Sequence, residues 1–317
     1  PQVHTSDTVM RVAELPRRIV SIGGGYVGAE FAHIFAGLGS EVTMVSRSSR
    51  LLKSHDADIS RRFTEAAHKN WTVLDGFGVA SIEAADSAGA GTVRVNLAAS
   101  DGSGGSRRLE AGLVLLATGR TPNTDRLDVS AAGFDLADDG RLVADSFQRV
   151  LSGGRPVAGV WALGDISSAH QLKHVANHEA RIVAHNLAHP QDLRRSDALP
   201  VPSAVFSRPQ VASVGLTEEQ ARASGADVTT VLQEYGTTAY GWAMEDTEGF
   251  VKLIADRASG QLLGAHILGH QASLLIQPLV QAMSFSLPAR SMAGGQYWIH
   301  PALTEVVENA LLALDLP

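Results

Sequence analysis

The sequence predicts an α/β protein that begins with a parallel sheet and ends in an α+β domain. Between residues 16 and 119, strand-like and helix-like stretches alternate. The strands are Arg18 to Ile22 and Glu41 to Val45, and the helices are Tyr26 to Leu38 and Asp56 to Lys69. Because a strand–helix–strand order takes a right-handed crossover, these strands should be parallel. The apolar run from Leu113 to Ala117 predicts a further buried strand.

The segment from Trp71 to Glu110 has a different pattern. Alternating runs such as Thr92 to Leu97 are separated by turn-forming clusters such as Ser100 to Gly105. Short alternating runs between glycine-rich turns are typical of antiparallel strands. We therefore predict an antiparallel meander added to the parallel sheet.

The rest of the chain predicts two further units. The first contains a strand (Val157 to Leu163), a helix (Lys173 to Leu187) and a charged linker (Pro190 to Pro202). The second contains a hairpin (Phe250 to Ile254 with Leu262 to Ile267) and two or three closing helices between Leu274 and Leu314. The predicted domains are residues 1–118, with a short lead-in at 1–15, then residues 119–200 and 201–317.

Composition excludes several classes of function. The 317 residues carry a net charge of -7 without a block of Lys or Arg, which argues against a nucleic-acid or membrane-surface partner. We see neither an apolar run near the roughly 20 residues that span a bilayer nor a signal peptide. The chain has no cysteine, which excludes disulfides and a cysteine nucleophile within it and fits a cytoplasmic protein. Because the sequence begins at Pro1 without an initiator Met, we expect a fragment of a longer protein.

A glycine-rich turn carries the clearest binding motif. Gly23, Gly25 and Gly28 fit the pattern G-x-G-x-x-G between a predicted strand and a predicted helix. In a Rossmann-like domain the first glycine permits a tight turn, the second lets the backbone approach a pyrophosphate, and the third lets the helix approach the strand. The helix N-terminus then offers free N–H groups to the phosphates. The alternative is a glycine-rich loop used only for packing.

The second strand indicates which dinucleotide binds. An NAD site needs an acid at the end of this strand, but the strand runs into Ser46, Arg47 and Arg50 without an Asp or Glu before Asp56. Glu41 opens the strand and is at the wrong end. Guanidinium groups suit the 2′-phosphate of NADPH, so these residues favour NADPH. The alternative is a pair of solvated surface arginines.

Four phrases occur in an order that resembles the class I pyridine nucleotide–disulfide oxidoreductases. They are Gly23 to Glu30, Ala117 to Asn123, Val160 to Asp165, and His300-Pro301 with Glu305. Further phrases resemble the mycothione reductases of that family, namely Leu172 to Arg181, Tyr240 to Thr247 and Gly295 to Leu303. The resemblance implies a homodimeric flavoprotein that uses FAD and NADPH to reduce a small disulfide, here mycothione. It also implies that residues 119–200 are part of an FAD domain and that residues 201–317 form the dimerisation domain.

The resemblance also implies roles near the dinucleotide. Tyr26 matches an aromatic gate over the flavin, and Glu30 matches a carboxylate that pairs with a lysine of an N-terminal segment. Gly119 lies at the crossing between domains, and Arg120 near the bound dinucleotide. The alternatives without a function are that Tyr26 is a half-buried aromatic, Glu30 an exposed helix glutamate and Arg120 a surface arginine.

On the flavin side, Asp165 matches a carboxylate that accepts a ribityl hydroxyl, although a plain turn would look the same. The helix that begins near His174 and Val175 would point its N-terminus at the flavin and stabilise a developing anion.

The acid–base pair implied by the resemblance is His300 with Glu305. An imidazolium can protonate a departing thiolate, and a carboxylate holds the ring and favours its charged form. In the family this histidine reaches into the partner subunit. Four other histidines share roughly one face of a helix, but we predict no metal site because no carboxylate pattern completes one. They are His174, His178, His185 and His189.

The family's first flavin segment and its two redox cysteines do not occur in this sequence. We therefore expect the isolated chain to be unable to reduce a disulfide, and the sequence leaves open whether it folds or binds FAD alone. Two alternatives remain: a dihydrolipoamide dehydrogenase or transhydrogenase of the same family, and a non-catalytic dinucleotide-binding dimerisation module.

Overall fold

The fold was analysed in a computed structural model that describes residues 2–85, 91–197 and 199–317. Residues 86–90, which the predicted meander included, lie outside the described residues, as do Pro1 of the lead-in and Ala198 of the linker. The chain forms two compact units. Residues 1–119 and 202–317 make the first, and residues 120–201 make the second.

The described strands are β1 (Val3–His4), β2 (Arg18–Ile22), β3 (Glu41–Ser46), β4 (Thr72–Asp75), β5 (Phe77–Ala84), β6 (Val93–Ala99), β7 (Ser106–Ala111), β8 (Leu113–Leu116), β9 (Arg149–Ser152), β10 (Arg155–Trp161), β11 (Ser203–Val205), β12 (Gln210–Gly215), β13 (Val228–Glu234), β14 (Phe250–Asp256) and β15 (Leu262–Gly269). The described helices are α1 (Ser6–Val9), α2 (Tyr26–Gly37), α3 (Ala57–Asn70), α4 (Lys173–Ala188), α5 (Glu218–Ala223), α6 (Ala239–Ala243), α7 (Ala272–Leu275), α8 (Gln277–Ser284), α9 (Ala289–Gly294) and α10 (Glu305–Leu312).

The predicted α/β fold with a parallel sheet is confirmed. Strands β1-β8-β2-β3-β4 lie in this order and all pair in parallel. One strand assignment was wrong, because Thr72–Asp75 was placed in the meander and instead pairs in parallel with β3. This strand has only four residues, too few for a repeating pattern to identify. The sequence also gave no signal for β1, which adds an edge strand from the polar lead-in.

The meander is present but is a separate sheet rather than an extension of the parallel one. Its strands pair in the order β5-β6-β7. Along β6 alternate residues are buried, and Val93, Val95 and Leu97 pack in one cluster with Val20 and Val45 of the parallel sheet. The meander therefore covers one face of the parallel sheet, which is why only one of its own faces is apolar.

The end of the chain forms an antiparallel sheet of order β11-β12-β15-β14-β13, named here the C-terminal sheet. Helices α7 to α10 pack on one face through a buried apolar cluster. The two or three helices predicted here are four short ones. The left-handed residue Ser286 (φ 52°) and Pro288 separate α8 from α9, and another left-handed residue, Gln271 (φ 56°), precedes α7.

The unit of residues 120–201 has its own small core around Val129, Leu142, Val150 and Ala162. Its hairpin pairs β9 with β10, and α4 begins at Lys173, as predicted. None of the helices in the described ranges is both long and apolar enough to cross a membrane.

Candidate active site

The glycine turn between β2 and α2 has the geometry that the motif predicts. Gly23 has φ +123°, and a β-carbon there would lie 2.2 Å from the carbonyl oxygen of Ala117. A β-carbon at Gly28 would lie 2.3 Å from the carbonyl oxygen of Gly23. These two positions therefore exclude any side chain, and they bring α2 close to the end of β2.

Gly25 is different because the space beside it is open. No atom lies within 4 Å of the position of a β-carbon there, and the residue is exposed at the N-cap of α2. No side chain caps the helix. The first turn of α2 therefore has free N–H groups beside an open surface, the arrangement that binds a diphosphate.

The segment after β3, residues 47–55, is named here the cofactor loop. Arg47 and Arg50 are exposed, and within the described ranges neither guanidinium forms an ion pair. Ser46 is buried, and its hydroxyl accepts a hydrogen bond from the Ser48 amide at 3.2 Å, so this hydroxyl orders the loop. The Leu52 amide donates to the Gly24 carbonyl at 2.7 Å, which ties the loop directly to the glycine turn.

Sequence order did not reveal an acid that lies near this site. Asp75 ends β4 and is the direct partner of Ser46 across the parallel pair. Its side chain is 38% exposed and lies 4.0 Å from His68. Glu41, at the opposite end of β3, pairs with Arg17 instead. A carboxylate is therefore present at this edge of the sheet, on the neighbouring strand.

The two α2 residues with family-derived roles contact β11 of the C-terminal sheet and the residue that follows it. Tyr26 is half-buried, its hydroxyl donates to Ser203 Oγ at 3.3 Å, and burial raises its pKa. Glu30 Oε1 accepts from the Phe206 amide at 3.0 Å, so it is not a free helix glutamate. Both residues are thus held by backbone or side-chain groups of residues 203–206.

A buried lysine network joins the cofactor loop to the C-terminal sheet, and sequence reasoning did not identify it. Lys252 on β14 is 4% exposed, and its ammonium lies 2.8 Å from Asp56, 2.8 Å from Asp58 and 2.7 Å from Glu218. Asp56 also caps two helices, accepting from the amide of Asp58 at the start of α3 and from the amide of Glu218 at the start of α5.

The network is balanced in charge. Arg61 pairs with Asp58 at 3.0 Å and Arg222 pairs with Glu218 at 2.7 Å, so three cations face three carboxylates. Burial alone would raise the pKa of Asp56, but the hydrogen bond from Lys252 and two backbone amides lower it below its ordinary value. Burial alone would lower the pKa of Lys252, yet its carboxylate partners raise it. Asp56 and Lys252 are therefore both charged at neutral pH.

Two buried histidines lie next to this network. His55 is 8% exposed and its Nδ1 contacts Ser213 Oγ at 3.1 Å, while His266 is 1% exposed and its Nε2 contacts the Leu216 carbonyl at 3.0 Å. Burial first, and the neighbouring His266 second, lower the pKa of His55 to about 4, although Asp56 opposes the shift. Burial also lowers the pKa of His266. Both rings are therefore neutral at pH 7.

This burial predicts acid sensitivity. Unfolded His55 takes up a proton near pH 6.5, whereas the folded protein takes it up only near pH 4, so stability falls as pH drops through that window. Between pH 7 and pH 5, His55 alone should cost about 2 kcal/mol of unfolding free energy. Urea unfolding at both pH values checks this, since His55→Gln should lessen the loss and His270→Gln, at an exposed position, should not. Equal losses in the two variants would contradict the assignment.

In the unit of residues 120–201, the candidate flavin residues form a cluster. Arg120 contacts the Asp165 carboxylate at 2.5 Å and the Gln171 carbonyl at 3.5 Å, so within this unit it pairs with the candidate ribityl ligand. The α4 N-terminus carries no side-chain cap; His174 is exposed there and Val175 is buried. These open amides and the carboxylate suit a flavin. Gly119 is the residue at which the chain passes between the two units.

The acid–base pair predicted from the sequence is formed. His300 Nδ1 lies 2.8 Å from Glu305 Oε1, with the histidine side chain 70% exposed and the glutamate 18% exposed. A carboxylate only accepts hydrogen bonds, so Nδ1 carries the hydrogen and Nε2 faces outward. The pair has the geometry of an oriented general acid or base.

Two of the four histidines predicted to share a helix face, His185 in α4 and His189 directly after it, pack against each other. The rings of His185 and His189 stack with centroids 4.5 Å apart, and His185 Nε2 contacts the Asp192 carbonyl at 2.8 Å. In the part of the chain that the structure describes, no group of three or more His, Cys, Asp or Glu side chains is placed to hold a metal ion.

Comparison with known proteins now defines the class. The chain belongs to the pyridine nucleotide-disulphide oxidoreductase family: residues 1–180 match the family itself, and residues 201–311 match its dimerisation domain. The resemblance inferred from the motifs is confirmed, and membership implies a flavin and a pyridine nucleotide as cofactors.

Among relatives, the chain is 54% identical to the mycothione reductase of Mycobacterium tuberculosis, over 98% of this chain and 65% of that protein. It is 33% identical to the dihydrolipoyl dehydrogenase of the same organism, over 95% of this chain and 62% of that protein. The structure of a HOCl-induced flavoprotein disulfide reductase from Escherichia coli superposes with a TM-score of 0.84 at 28% identity, covering 99% of this chain and 68% of that one. The chain thus spans about two-thirds of the length of the relatives that it matches.

Proposed function

We propose that this chain is part of an NADPH-dependent flavoprotein that reduces a small disulfide, most specifically mycothione, in the cytoplasm. The observation that carries the proposal is the open N-terminus of α2 beside Gly25 together with the exposed Arg47 and Arg50, which form no ion pair with any residue that the structure describes. The 54% identity to a mycothione reductase supports the substrate class. The chain has no cysteine, so the redox disulfide has to come from elsewhere in the protein.

The first turn of α2 and the cofactor loop would hold the dinucleotide. Amides of the turn would bind the diphosphate, and Arg47 and Arg50 would bind the 2′-phosphate by charge-assisted hydrogen bonds. Asp165 and the uncapped α4 N-terminus would contribute to the FAD site. When bound, the two cofactors supply a hydride path from nicotinamide to flavin and then to a disulfide.

His300 would complete the reaction as the proton donor. Splitting a disulfide expels a thiolate, and the outward Nε2 would protonate it while Glu305 holds the ring through Nδ1. This role needs an exposed ring, which the 70% exposure of His300 provides.

The surroundings of His300 support a homodimer. Tyr297 and Ile299, two residues with large apolar side chains next to it, are 103% and 74% exposed, and Phe285 and Leu312 are 71% and 63% exposed. Exposed apolar side chains in such number mark an interaction surface. A two-fold interface through the dimerisation domain would bury them and place His300 at the partner's active site.

Charge removal at the cofactor loop tests the proposal. Replacing Arg47 and Arg50 by alanine should raise the KM for NADPH by about 10- to 100-fold. A hydrogen bond to a charged group contributes about 1.5–3 kcal/mol, and water around this exposed loop reduces the free energy that is lost with each arginine. The KM for NADH should change by less than about threefold, because NADH lacks the 2′-phosphate that the two arginines would bind. Steady-state kinetics of the intact protein with both dinucleotides measures this.

A matched control is Arg17→Ala, which removes an exposed arginine at the opposite end of the sheet, where it pairs with Glu41. Its kinetics should be those of the unaltered protein. Equal losses for NADPH and NADH in the double variant, or a loss in the Arg17 variant alone, would contradict the 2′-phosphate assignment.

Asp75 supports one alternative, an NADH-using dihydrolipoyl dehydrogenase. Its carboxylate lies beside Ser46 at the sheet edge, where it could accept ribose hydroxyls, and such a protein is 33% identical to this chain. The same kinetic comparison separates the two. A lower KM for NADH than for NADPH in the unaltered protein, reversed by Asp75→Asn, favours the alternative.

A further inference from the structure

Four polar side chains form a row across the C-terminal sheet. Ser203, Ser213, His266 and Lys252 are direct partners in neighbouring strands, in the order β11, β12, β15 and β14. Directly opposed residues in antiparallel strands point to the same face. This polar row therefore lies on one face of the sheet and spans about 14 Å at the usual strand spacing.

The polar row lies on the face that contacts α2 and α3. Two positions along each strand, Val205, Val211, Leu268 and Phe250 form a parallel apolar row. This apolar row packs in one buried cluster with residues of α2 and α3 such as Phe63. The apolar contacts would by themselves hold α2 and α3 against the C-terminal sheet. The polar row therefore has a role other than packing these elements together.

Three of the four members of the polar row contact a residue next to the candidate dinucleotide site, whereas His266 contacts the Leu216 carbonyl at 3.0 Å. Ser203 binds Tyr26, the first residue of α2 after the glycine turn. Ser213 binds His55, the last residue of the cofactor loop, and the His55 ring lies 5.0 Å from that of Tyr26. Lys252 binds Asp56, where α3 starts.

The cofactor loop is fixed at few other points. Its Leu52 amide binds Gly24, and Leu51 is held through both its backbone groups by Thr64 and Ser60 of α3. Its N-terminal half, which carries Arg47 and Arg50, is exposed. The direction of this half is set at one end by β3, where the Ser46 hydroxyl holds the Ser48 amide, and at the other end by the anchors of the C-terminal half and of the start of α3.

We propose that the polar row positions the dinucleotide site: by anchoring Tyr26, His55 and Asp56, the C-terminal sheet sets the geometry of the glycine turn relative to the cofactor loop. Ser203, Ser213 and Lys252 are positioning residues for NADPH, although none of them touches it. The inference rests on the proposed function. Directional hydrogen bonds fix such a geometry, whereas the apolar row tolerates sliding.

The test removes two hydroxyl groups without disturbing the apolar row. In the intact protein, Ser203→Ala combined with Ser213→Ala should weaken NADPH binding by roughly tenfold, as expected for a small misplacement of binding groups. Calorimetric titration with NADPH gives the dissociation constant. Turnover at saturating NADPH and the KM for the disulfide should stay unchanged, because the loss concerns the position of one site.

The matched control is Ser207→Ala, which removes a buried hydroxyl of the same region that donates to the Pro209 carbonyl of its own loop at 2.7 Å. Lys252→Arg, which keeps the charge in a different shape, is a second variant and should weaken NADPH binding if it folds. Unchanged NADPH affinity in the serine double variant, or an equal loss in Ser207→Ala, overturns the inference. Failure of the unaltered protein to bind NADPH would instead overturn the proposed function.

Discussion

Replacing His300 by glutamine should lower disulfide turnover by about 100- to 10,000-fold, the range for removal of a general acid. Glutamine keeps a polar side chain at this exposed position but does not supply a proton to the departing thiolate. Rapid mixing of the intact protein with NADPH should show flavin reduction within about twofold of the unaltered rate, since the imidazole acts only after that step. The variant should therefore lose steady-state turnover while its rate of flavin reduction by NADPH stays nearly unchanged.

Glu305→Gln should have a smaller effect on turnover. The amide oxygen of glutamine can still accept a hydrogen bond from Nδ1 and orient the ring, but it lacks the negative charge of the carboxylate. His270→Gln, at another exposed histidine, should leave both steps unchanged. Slow flavin reduction in His300→Gln, or full turnover, would contradict the role of the pair.

Lys252→Met should lower the unfolding free energy by about 3–5 kcal/mol, the cost of removing one partner from a buried ion pair. Methionine fills a similar volume, but Asp56, 1% exposed, and the carboxylates of Asp58 and Glu218 lose the ammonium they share. Urea unfolding at pH 7, with the slope as well as the midpoint, measures the change.

Lys69→Met is the matched control because Lys69, which lies on α3 with Asp58, pairs with Glu248 in an exposed ion pair at 2.7 Å. Solvent screens this pair, so its midpoint should stay close to that of the unaltered protein. Similar unfolding midpoints for both variants would contradict the prediction, because they would show that the buried lysine contributes no more to stability than the exposed one.

Pattern and local chemistry predicted most of the first domain. The glycine turn could be placed because its three glycines meet steric requirements that are local to a strand–turn–helix, and the structure reproduces those contacts at Gly23 and Gly28. The strand β4 could not be placed, because four residues between a helix and a turn carry too little periodicity. The separation of the meander from the parallel sheet depends on tertiary packing that no local pattern records.

The buried network was missed for a different reason. Asp56 and Lys252 lie 196 residues apart, and the packing of α3 against the C-terminal sheet brings them together. One signal was present: Lys252 is the one charged residue in the apolar run from Phe250 to Ala255, and a buried ammonium requires carboxylate partners. The position of Asp75 beside Ser46 likewise needed the sheet order.

The structure of the intact protein with NADPH bound is the most direct test of the electrostatic account of the dinucleotide site. We predict that the diphosphate lies against the amides of the first turn of α2 beside Gly25, with the 2′-phosphate within hydrogen-bond distance of Arg47 or Arg50. A diphosphate bound away from that turn, or a 2′-phosphate out of reach of both arginines, would contradict the account.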